Sequence, residues 1–275
     1  MKVYISVDME GVTGVASALH MKDSGYNRMV KIMTQEVNAA IKGAFAGGAT
    51  EVLVNDAHGS MTNVIIEELD ERAELISGSN KHLCQMEGLD SSYDAVFFLG
   101  YHAHEGHGDG VMNHTIHGLV VTEIKRNGLV VGETGINAGI AGAYGVPVVL
   151  VAGDQVVCAE ARDLLGDIET VVVKQAIDRY AAKSLAPKRS QQLIEAAATR
   201  AMGRIKEIKP HTVPDPVEFE LTVKLTSMAY MCTLFPSVER RSAKVIAVKG
   251  EDYLDAYRQL LGCLILSGAC ARGWL

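Results

Sequence analysis

The sequence predicts an α/β protein, in which a mostly parallel, doubly wound sheet forms the N-terminal domain and a smaller α+β domain follows. Short apolar strands alternate with helical segments through the first part of the chain, as in sheets with helical crossovers. Beyond about residue 185 this alternation stops. We therefore predict a metal-binding catalytic domain over 1–185 and a second domain over 186–275, which we expect to serve oligomerisation and to shape the site.

The first strand starts at Lys2 and leads into two carboxylates, Asp8 and Glu10, followed directly by Gly11. Because strand side chains alternate between faces, residues two apart point the same way. Paired acids at the carboxyl end of a strand are typical of catalytic or metal-binding groups in α/β proteins. A solvated strand end with two surface acids is the alternative.

A helix and a second strand complete the first β-α-β unit. Apolar residues recur at three- and four-residue spacing over 26–45, which predicts a helix that Gly47 and Gly48 end. The apolar segment 51–55 is the next strand, and we expect a right-handed, parallel connection. His58 follows this strand and therefore lies at the same end of the sheet as the acids of the first strand.

The next segments repeat this arrangement. We predict a short helix near 63–69, a strand near 74–76 and an apolar strand over 94–100 that delivers His102 and His104 at its carboxyl end. A loop rich in glycine and histidine follows.

A hairpin is predicted over 117–132, with its turn at Arg126-Asn127-Gly128. Glu133 ends this hairpin, a helix follows over 134–144, and a buried strand over 146–151. The C-terminal part is predicted to contain helices over 187–206 and 252–271, with strands over 217–225 and 243–248 between them.

Composition excludes several classes of partner. The net charge of −7 and the lack of a basic run argue against nucleic acid. The most apolar late segment, 260–271, is too short to span a membrane. The five cysteines are scattered and indicate reduced thiols, and the N-terminus lacks a secretory pattern. We therefore expect a cytoplasmic protein without a membrane or nucleic-acid partner.

Metal-capable side chains follow four predicted strands, and the carboxyl ends of parallel strands converge on one crevice. Two imidazoles and three carboxylates there suit one or two borderline metal ions, with zinc the first choice. Each residue alone has a structural alternative: a histidine after a strand is often only hydrogen-bonded, and an acid at position 133 favours the dipole of the helix that follows. Together they indicate a metallohydrolase. The set comprises Asp8, Glu10, His58, His102 and Glu133.

Five segments of the chain carry a resemblance to a known family, in that family's order and with nearly its spacing. The segments are Ser6-Val7-Asp8-Met9-Glu10-Gly11, Val54-Asn55-Asp56-Ala57-His58, Leu99-Gly100-Tyr101-His102-Ala103, Gly110-Val111-Met112-Asn113-His114 and Val131-Gly132-Glu133. With these segments the sequence resembles the D-aminopeptidases of the DppA type, peptidase family M55, and the similarity extends through essentially the whole chain.

The resemblance implies an aminopeptidase with two zinc ions per subunit, which uses a metal-bridging water or hydroxide to remove N-terminal residues, typically of D configuration, from short peptides. It implies that Asp8 bridges the ions, that Glu10, His58, His102 and Glu133 complete the two sites, and that His114 is the catalytic histidine. An imidazole suits a general base or an oxyanion donor. The resemblance also implies a ring-like homo-oligomer, in this family often a decamer.

Several alternatives stay open at the level of sequence. The same two-metal site could act on L-peptides, other amides or phosphoesters, or the protein could be a non-catalytic peptide-binding partner of dipeptide transport. Asn55 and Asp56 are candidates either for orienting ligands or, for Asp56, for capping a turn. The additional histidines His104, His107 and His117 could modify substrate choice, bind a further ion or be solvated loop side chains.

Overall fold

The computed structural model describes residues 1–271 and contains two β-sheets. Its strands are β1 (Lys2–Val7), β2 (Glu51–Asp56), β3 (Ala73–Ile76), β4 (Ala95–Tyr101), β5 (Val121–Arg126), β6 (Leu129–Val130), β7 (Val148–Asp154), β8 (Glu169–Asp178), β9 (Ala181–Ser184), β10 (Val217–Val223), β11 (Glu239–Arg240) and β12 (Val245–Gly250). The first sheet has the order β3-β2-β1-β4-β7-β8-β9, and the second has the order β11-β12-β10-β5-β6.

Six α-helices accompany these sheets in the described residues. They are α1 (Asp23–Ala46), α2 (Glu133–Ala143), α3 (Gln155–Leu165), α4 (Pro187–Arg204), α5 (Thr226–Cys232) and α6 (Tyr253–Ala271). Helices α1 and α4 pack against each other, α3 packs on β7 and β8, and α6 packs on β12 and β10. Within residues 1–271, no helix combines the length and apolar character needed to cross a membrane.

The first sheet is parallel except at its β8–β9 edge, whereas the second sheet is antiparallel throughout. This arrangement confirms the predicted fold class. From β1 the chain builds outward through β2 and β3, then returns to place β4 on the other side of β1. Strand order therefore reverses between β1 and β4, and ligands of doubly wound proteins bind at such a reversal.

Most predicted elements are found close to their predicted bounds. Helix α1 ends in a Schellman motif, with Gly48 at a φ of 96° and the Ala49 amide donating to the Ala44 carbonyl at 2.9 Å. The Asn127-Gly128 turn has positive φ at both residues, as a two-residue type I′ hairpin requires.

The chain also forms elements that the sequence patterns did not predict: α3, α5, β8, β9 and the short β11. Helix α3 begins directly at the end of β7, where the Asp154 carboxylate accepts from the amides of Val156 and Val157, both at 2.9 Å. This N-cap was the available sequence signal, since Asp at such a position favours a helix start.

One expectation about the site was wrong. Glu133 does not follow a strand of the parallel sheet, because the β5–β6 hairpin pairs with β10 and belongs to the second sheet. Glu133 is instead the first residue of α2. Helix α4 belongs to the predicted C-terminal domain, because it lies beyond residue 185. It nevertheless packs against α1 of the predicted N-terminal domain. The division of the chain into domains at 1–185 and 186–275 stays a prediction.

The end of β4 lies unusually close to the end of β1. Gly100 has a φ of 66°, and a Cβ added there would lie 2.0 Å from the Asp8 carbonyl oxygen. The Asp8 amide donates to the Leu99 carbonyl at 2.8 Å, and the Gly11 amide donates to the Gly100 carbonyl at 2.7 Å. Glycine at position 100 therefore permits the backbone approach that fixes Asp8.

This approach predicts that Gly100→Ala costs more stability than backbone conformation alone explains. Gly106→Ala is the matched control, because Gly106 also has positive φ, 85°, but open space around it. We expect Gly106→Ala to lower the free energy of unfolding by about 1 kcal/mol and Gly100→Ala by about 3 kcal/mol or more, since it adds a backbone collision. Urea unfolding of both variants measures the difference, and equal costs would contradict the account.

Candidate metal centre

The ends of β1, β2 and β4 bring Asp8, His58 and His102 to one place. Asp8 follows β1 and is 2% exposed, and His102 follows β4 and is 1% exposed. His58 lies just after β2, where the Ala57 amide still donates to the Val7 carbonyl at 2.8 Å. Three neighbouring strands of a parallel sheet therefore direct three metal-capable side chains into the crevice at the strand-order reversal.

A first group of ligand atoms is formed by Asp8, Glu10 and His58. The Nδ1 atom of His58 lies 3.0 Å from Oδ1 of Asp8 and 2.9 Å from Oε2 of Glu10. Glu10 lies in the turn that follows β1, two residues beyond Asp8. One imidazole nitrogen and two carboxylates are a donor set that borderline divalent metals accept.

A second group is formed by His102, His114 and Glu133. The Nε2 atom of His102 lies 3.2 Å from Oε1 of Glu133, and Nε2 of His114 lies 3.7 Å from the same oxygen. The two imidazole rings are stacked, with centroids 4.1 Å apart. Glu133 enters from the N-terminal turn of α2.

Asp8 connects the two groups through its two carboxylate oxygens. Its Oδ1 atom faces His58, and its Oδ2 atom lies 3.3 Å from Nε2 of His102. Glu10 also reaches toward the second group, since its Oε1 atom lies 3.9 Å from Nε2 of His114. The six side chains therefore form one continuous cluster with Asp8 at its centre.

The histidine nitrogens of the second group are oriented for metal binding. Nδ1 of His102 lies 3.0 Å from the Ala103 carbonyl, which can only accept, so this nitrogen donates and Nε2 is left with a lone pair in the neutral ring. That Nε2 atom is buried without a hydrogen bond among the described residues, between two carboxylates. A buried lone pair facing anionic oxygens fits a cation between them, so the residues present suit a bound metal.

The charges of the cluster depend strongly on one another. Burial favours the neutral rings of His58 and His102, but the neighbouring carboxylates outweigh it and hold both pKa values well above the usual range. Burial likewise opposes the charged carboxylates, but the histidines lower the pKa values of Asp8, Glu10 and Glu133. The histidines and the acids thus favour each other's charged forms, and a metal ion bound here would compete with protons for the imidazole nitrogens.

The structure brings all six predicted site residues together and keeps His104 and His107 apart from them. His104 pairs with Glu160 outside the cluster, with Nε2 3.7 Å from Oε1, and His107 stacks edge-on against His104. Asp56 caps the turn after β2, because its carboxylate accepts from the His58 amide at 3.4 Å, and it also accepts from the amides of Asn63 and Val64.

Comparison with known proteins agrees with this geometry. The family model described as peptidase M55, D-aminopeptidase, matches residues 1–261. The chain belongs to the peptidase M55 family. A D-aminopeptidase of Bacillus subtilis (strain 168) is 40% identical over 266 residues, which cover 95% of this chain and 96% of that protein.

The fold of this M55 protein also matches a solved structure of the family. The Zn-dependent D-aminopeptidase DppA from Bacillus subtilis, described as a self-compartmentalizing protease, has a TM-score of 0.94 and 37% identity, with 98% of both chains covered. The family and the D-aminopeptidase function that the sequence predicted are confirmed by these matches.

Sequence reasoning missed two polar residues that hold Glu133 in this M55 centre. Gln85 donates through Nε2 to Oε2 of Glu133 at 2.6 Å, and Asn137 donates to Oε1 of Gln85 at 2.7 Å. The Ile116 amide donates to the other carboxylate oxygen at 2.6 Å. Asn137 lies one helical turn after Glu133, and this spacing was an available signal. Gln85 follows an irregular segment, and no sequence pattern indicated its role.

Lys174 is a further residue whose role the sequence did not predict. It is a buried lysine on β8, and its ammonium donates to the carbonyls of Glu10, Val12 and Val15. Burial lowers the pKa of Lys174 to about 8. The ammonium therefore ties down the loop that follows the first strand and carries Glu10. A lysine within an apolar strand was the signal in the sequence.

We predict that Lys174→Met destabilises the protein by about 2–4 kcal/mol, because it leaves three carbonyls of the loop without their donor. Zinc affinity falls as well, since Glu10 is no longer fixed. Lys183→Met on the adjacent β9 is the control, because Lys183 is exposed. Thermal unfolding and zinc titration test both variants. Wild-type zinc affinity in Lys174→Met would show that the lysine does not position Glu10.

Proposed function

We propose that this protein is a zinc-dependent aminopeptidase that releases N-terminal residues, typically of D configuration, from short peptides. The observation that carries the proposal is the division of the Asp8 carboxylate between His58 and His102, at 3.0 and 3.3 Å. One carboxylate facing two separate donor groups through different oxygens is the arrangement that a pair of metal ions needs. The zinc dependence of the DppA relative supports the same ion here.

The distances favour one division of the ligands. Asp8, Glu10 and His58 would hold the first zinc ion, and Asp8, His102 and Glu133 the second. Two divalent cations supply four positive charges against three buried carboxylates, which removes the cost of three like charges at close range. The imidazole nitrogens contribute without adding charge.

Zinc ions, when bound, supply Lewis acidity that polarises a carbonyl and lowers the pKa of water. His114 then has the geometry for proton transfer. Its Nδ1 atom donates to the Met112 carbonyl at 3.0 Å, so the neutral ring presents its Nε2 lone pair to the cluster. The side chain is 19% exposed, compared with 1% for His102. A residue that is open on one side can accept a proton at Nε2 and return it to the leaving amine.

The two buried cations Lys174 and Arg126 give no support to a phosphoesterase. Lys174 is directed to backbone carbonyls, as described above. Arg126 is buried and donates to the Gly135 carbonyl and toward His211, at 2.7 and 2.9 Å. Phosphoryl transfer needs cationic groups aimed at the substrate oxygens. A non-catalytic role in dipeptide transport needs the ligands but leaves the position of His114 unexplained.

We further propose that the protein assembles into a ring-like homo-oligomer, for which the decamer implied by the family is the specific expectation. Four large apolar side chains on and around α5 are between 42% and 67% exposed, and such a patch favours a contact with another subunit. They are Leu225, Tyr230, Leu234 and Phe235. Sedimentation velocity that finds only monomer would exclude this assembly.

The five free cysteines support action in the reducing cytoplasm.

Removal of metal tests the proposed activity directly. Dialysis against a chelator should abolish hydrolysis of D-Ala p-nitroanilide and of D-Ala dipeptides, and zinc should restore it. The corresponding L-Ala substrates measure the stereochemical preference. Undiminished activity in the chelated protein, or no cleavage of any peptide with a free amine, would overturn the proposal.

His114→Ala separates the catalytic role from a ligand role. We expect kcat to fall by about 10²-fold or more, as loss of a general acid–base does, while two zinc ions per chain remain bound. His107→Ala is the control, since this histidine lies in the same loop but outside the cluster. Loss of zinc in His114→Ala would instead make His114 a ligand.

A further inference from the structure

A cavity of about 340 Å³ lies beside the metal centre, between the segments that follow β2 and β3 and one side of α6. This volume is within the range of small-molecule sites, about 300–1,000 Å³. Its wall is mostly apolar and includes Met61, Ile116, Leu261, Leu264 and Ile265.

The cavity and the metal centre share a wall. Gln85 lines the cavity and also donates to Glu133 at 2.6 Å. Ile116 lines it as well, and its amide donates to the other oxygen of the same carboxylate. Ala57, next to His58, is a third lining residue. The cavity therefore adjoins the metal centre on the side of His58 and Glu133.

The backbone around the cavity is held in an unusual conformation. Of the seven non-glycine residues with positive φ in residues 1–271, four line this cavity: Met61, Asn80, Cys84 and Ile116. Positive φ is rare for a β-branched residue such as isoleucine. Such residues concentrate at ligand sites, where the surrounding structure maintains them. The buried hydroxyl of Tyr257 on α6 donates to the Leu83 carbonyl at 3.3 Å and so fixes the opposite wall.

Lys81 gives the cavity its chemical selectivity. Its Nζ donates to Oδ1 of Asn55 and to the Asp56 carbonyl, both at 2.7 Å. An ammonium carries three donors, so these two bonds hold it in place and leave one for a ligand. A cation at this wall repels the ammonium at the amino end of a peptide and attracts the carboxylate at the other end.

We propose that this cavity receives the residue on the carboxyl side of the scissile bond, with its side chain against the apolar wall and its free α-carboxylate on Lys81. The inference rests on the proposed aminopeptidase function and deepens it. It makes dipeptides with an apolar second residue the favoured substrate class, because only in a dipeptide does the carboxylate belong to the residue next to the scissile bond.

The contact between the Lys81 ammonium and the substrate carboxylate is tested on zinc-loaded protein with D-Ala-D-Leu and its C-terminal amide. Wild type should prefer the free acid by about tenfold in kcat/KM, mainly through KM, as a charge-assisted hydrogen bond gives. Lys81→Met keeps the apolar stem and should lower kcat/KM about tenfold more for the free acid than for the amide. Activity that remains on the amide also shows that the variant is folded and that His58 is still in place.

The apolar wall is tested independently with Ile265→Trp, which fills the cavity from an exposed position on α6. We expect its kcat/KM for D-Ala-D-Leu to fall about tenfold relative to that for D-Ala-Gly. Arg258→Trp is the control, two turns earlier on α6 and outside the cavity, and should leave this ratio unchanged.

These measurements distinguish a wrong aminopeptidase function from a wrong assignment of the cavity. If wild type cleaves none of these peptides, the proposed function is wrong. If wild type cleaves them but Lys81→Met lowers the acid and the amide equally, or Ile265→Trp leaves the ratio unchanged, the assignment of this cavity is overturned and the aminopeptidase function stands.

Discussion

The structure depends on the sharing of one buried carboxylate between two histidines. Asp8 is 2% exposed, and its two oxygens face His58 and His102 at 3.0 and 3.3 Å. Glu10 and Glu133 add two further buried acids within reach of the same rings. Such a concentration of like charge is stable only with compensating cations. The histidines lower the pKa values of these acids, and divalent cations bound at the same place would neutralise them.

The parallel sheet, helix α2 and Lys174 together position the side chains of this cluster. The parallel sheet contributes the ends of neighbouring strands, and the close approach at Gly100 sets the position of Asp8. Helix α2 contributes Glu133 at its N-terminus, where Gln85 and the Ile116 amide orient both carboxylate oxygens. Lys174 fixes the loop after β1 by donating to backbone carbonyls of that loop. The metal centre therefore lies where two sheets and α2 meet, and its ligands have little freedom to adjust.

Part of the metal centre could be predicted from sequence, because the strands that position its side chains follow from local periodicity. The ends of β1, β2 and β4 place Asp8, His58 and His102 by the general behaviour of parallel sheets. Glu133 was predicted on the same reasoning, and the family blocks added His114. The origin of Glu133 was predicted wrongly, because the pairing of β5 with β10 joins residues about ninety positions apart and leaves no local pattern. The supporting contacts of Gln85 and Lys174 are equally long-range.

If Asp8 serves both metal ions and Glu10 only one, the number of zinc ions bound per chain distinguishes the two roles. Zinc titration of Asp8→Asn and Glu10→Gln, with bound zinc counted by elemental analysis, compares two isosteric losses of one charge. We expect Asp8→Asn to weaken the binding of both ions together and Glu10→Gln to retain about one zinc per chain. Equal loss of both ions from Glu10→Gln, or one ion bound with wild-type affinity in Asp8→Asn, would contradict these roles.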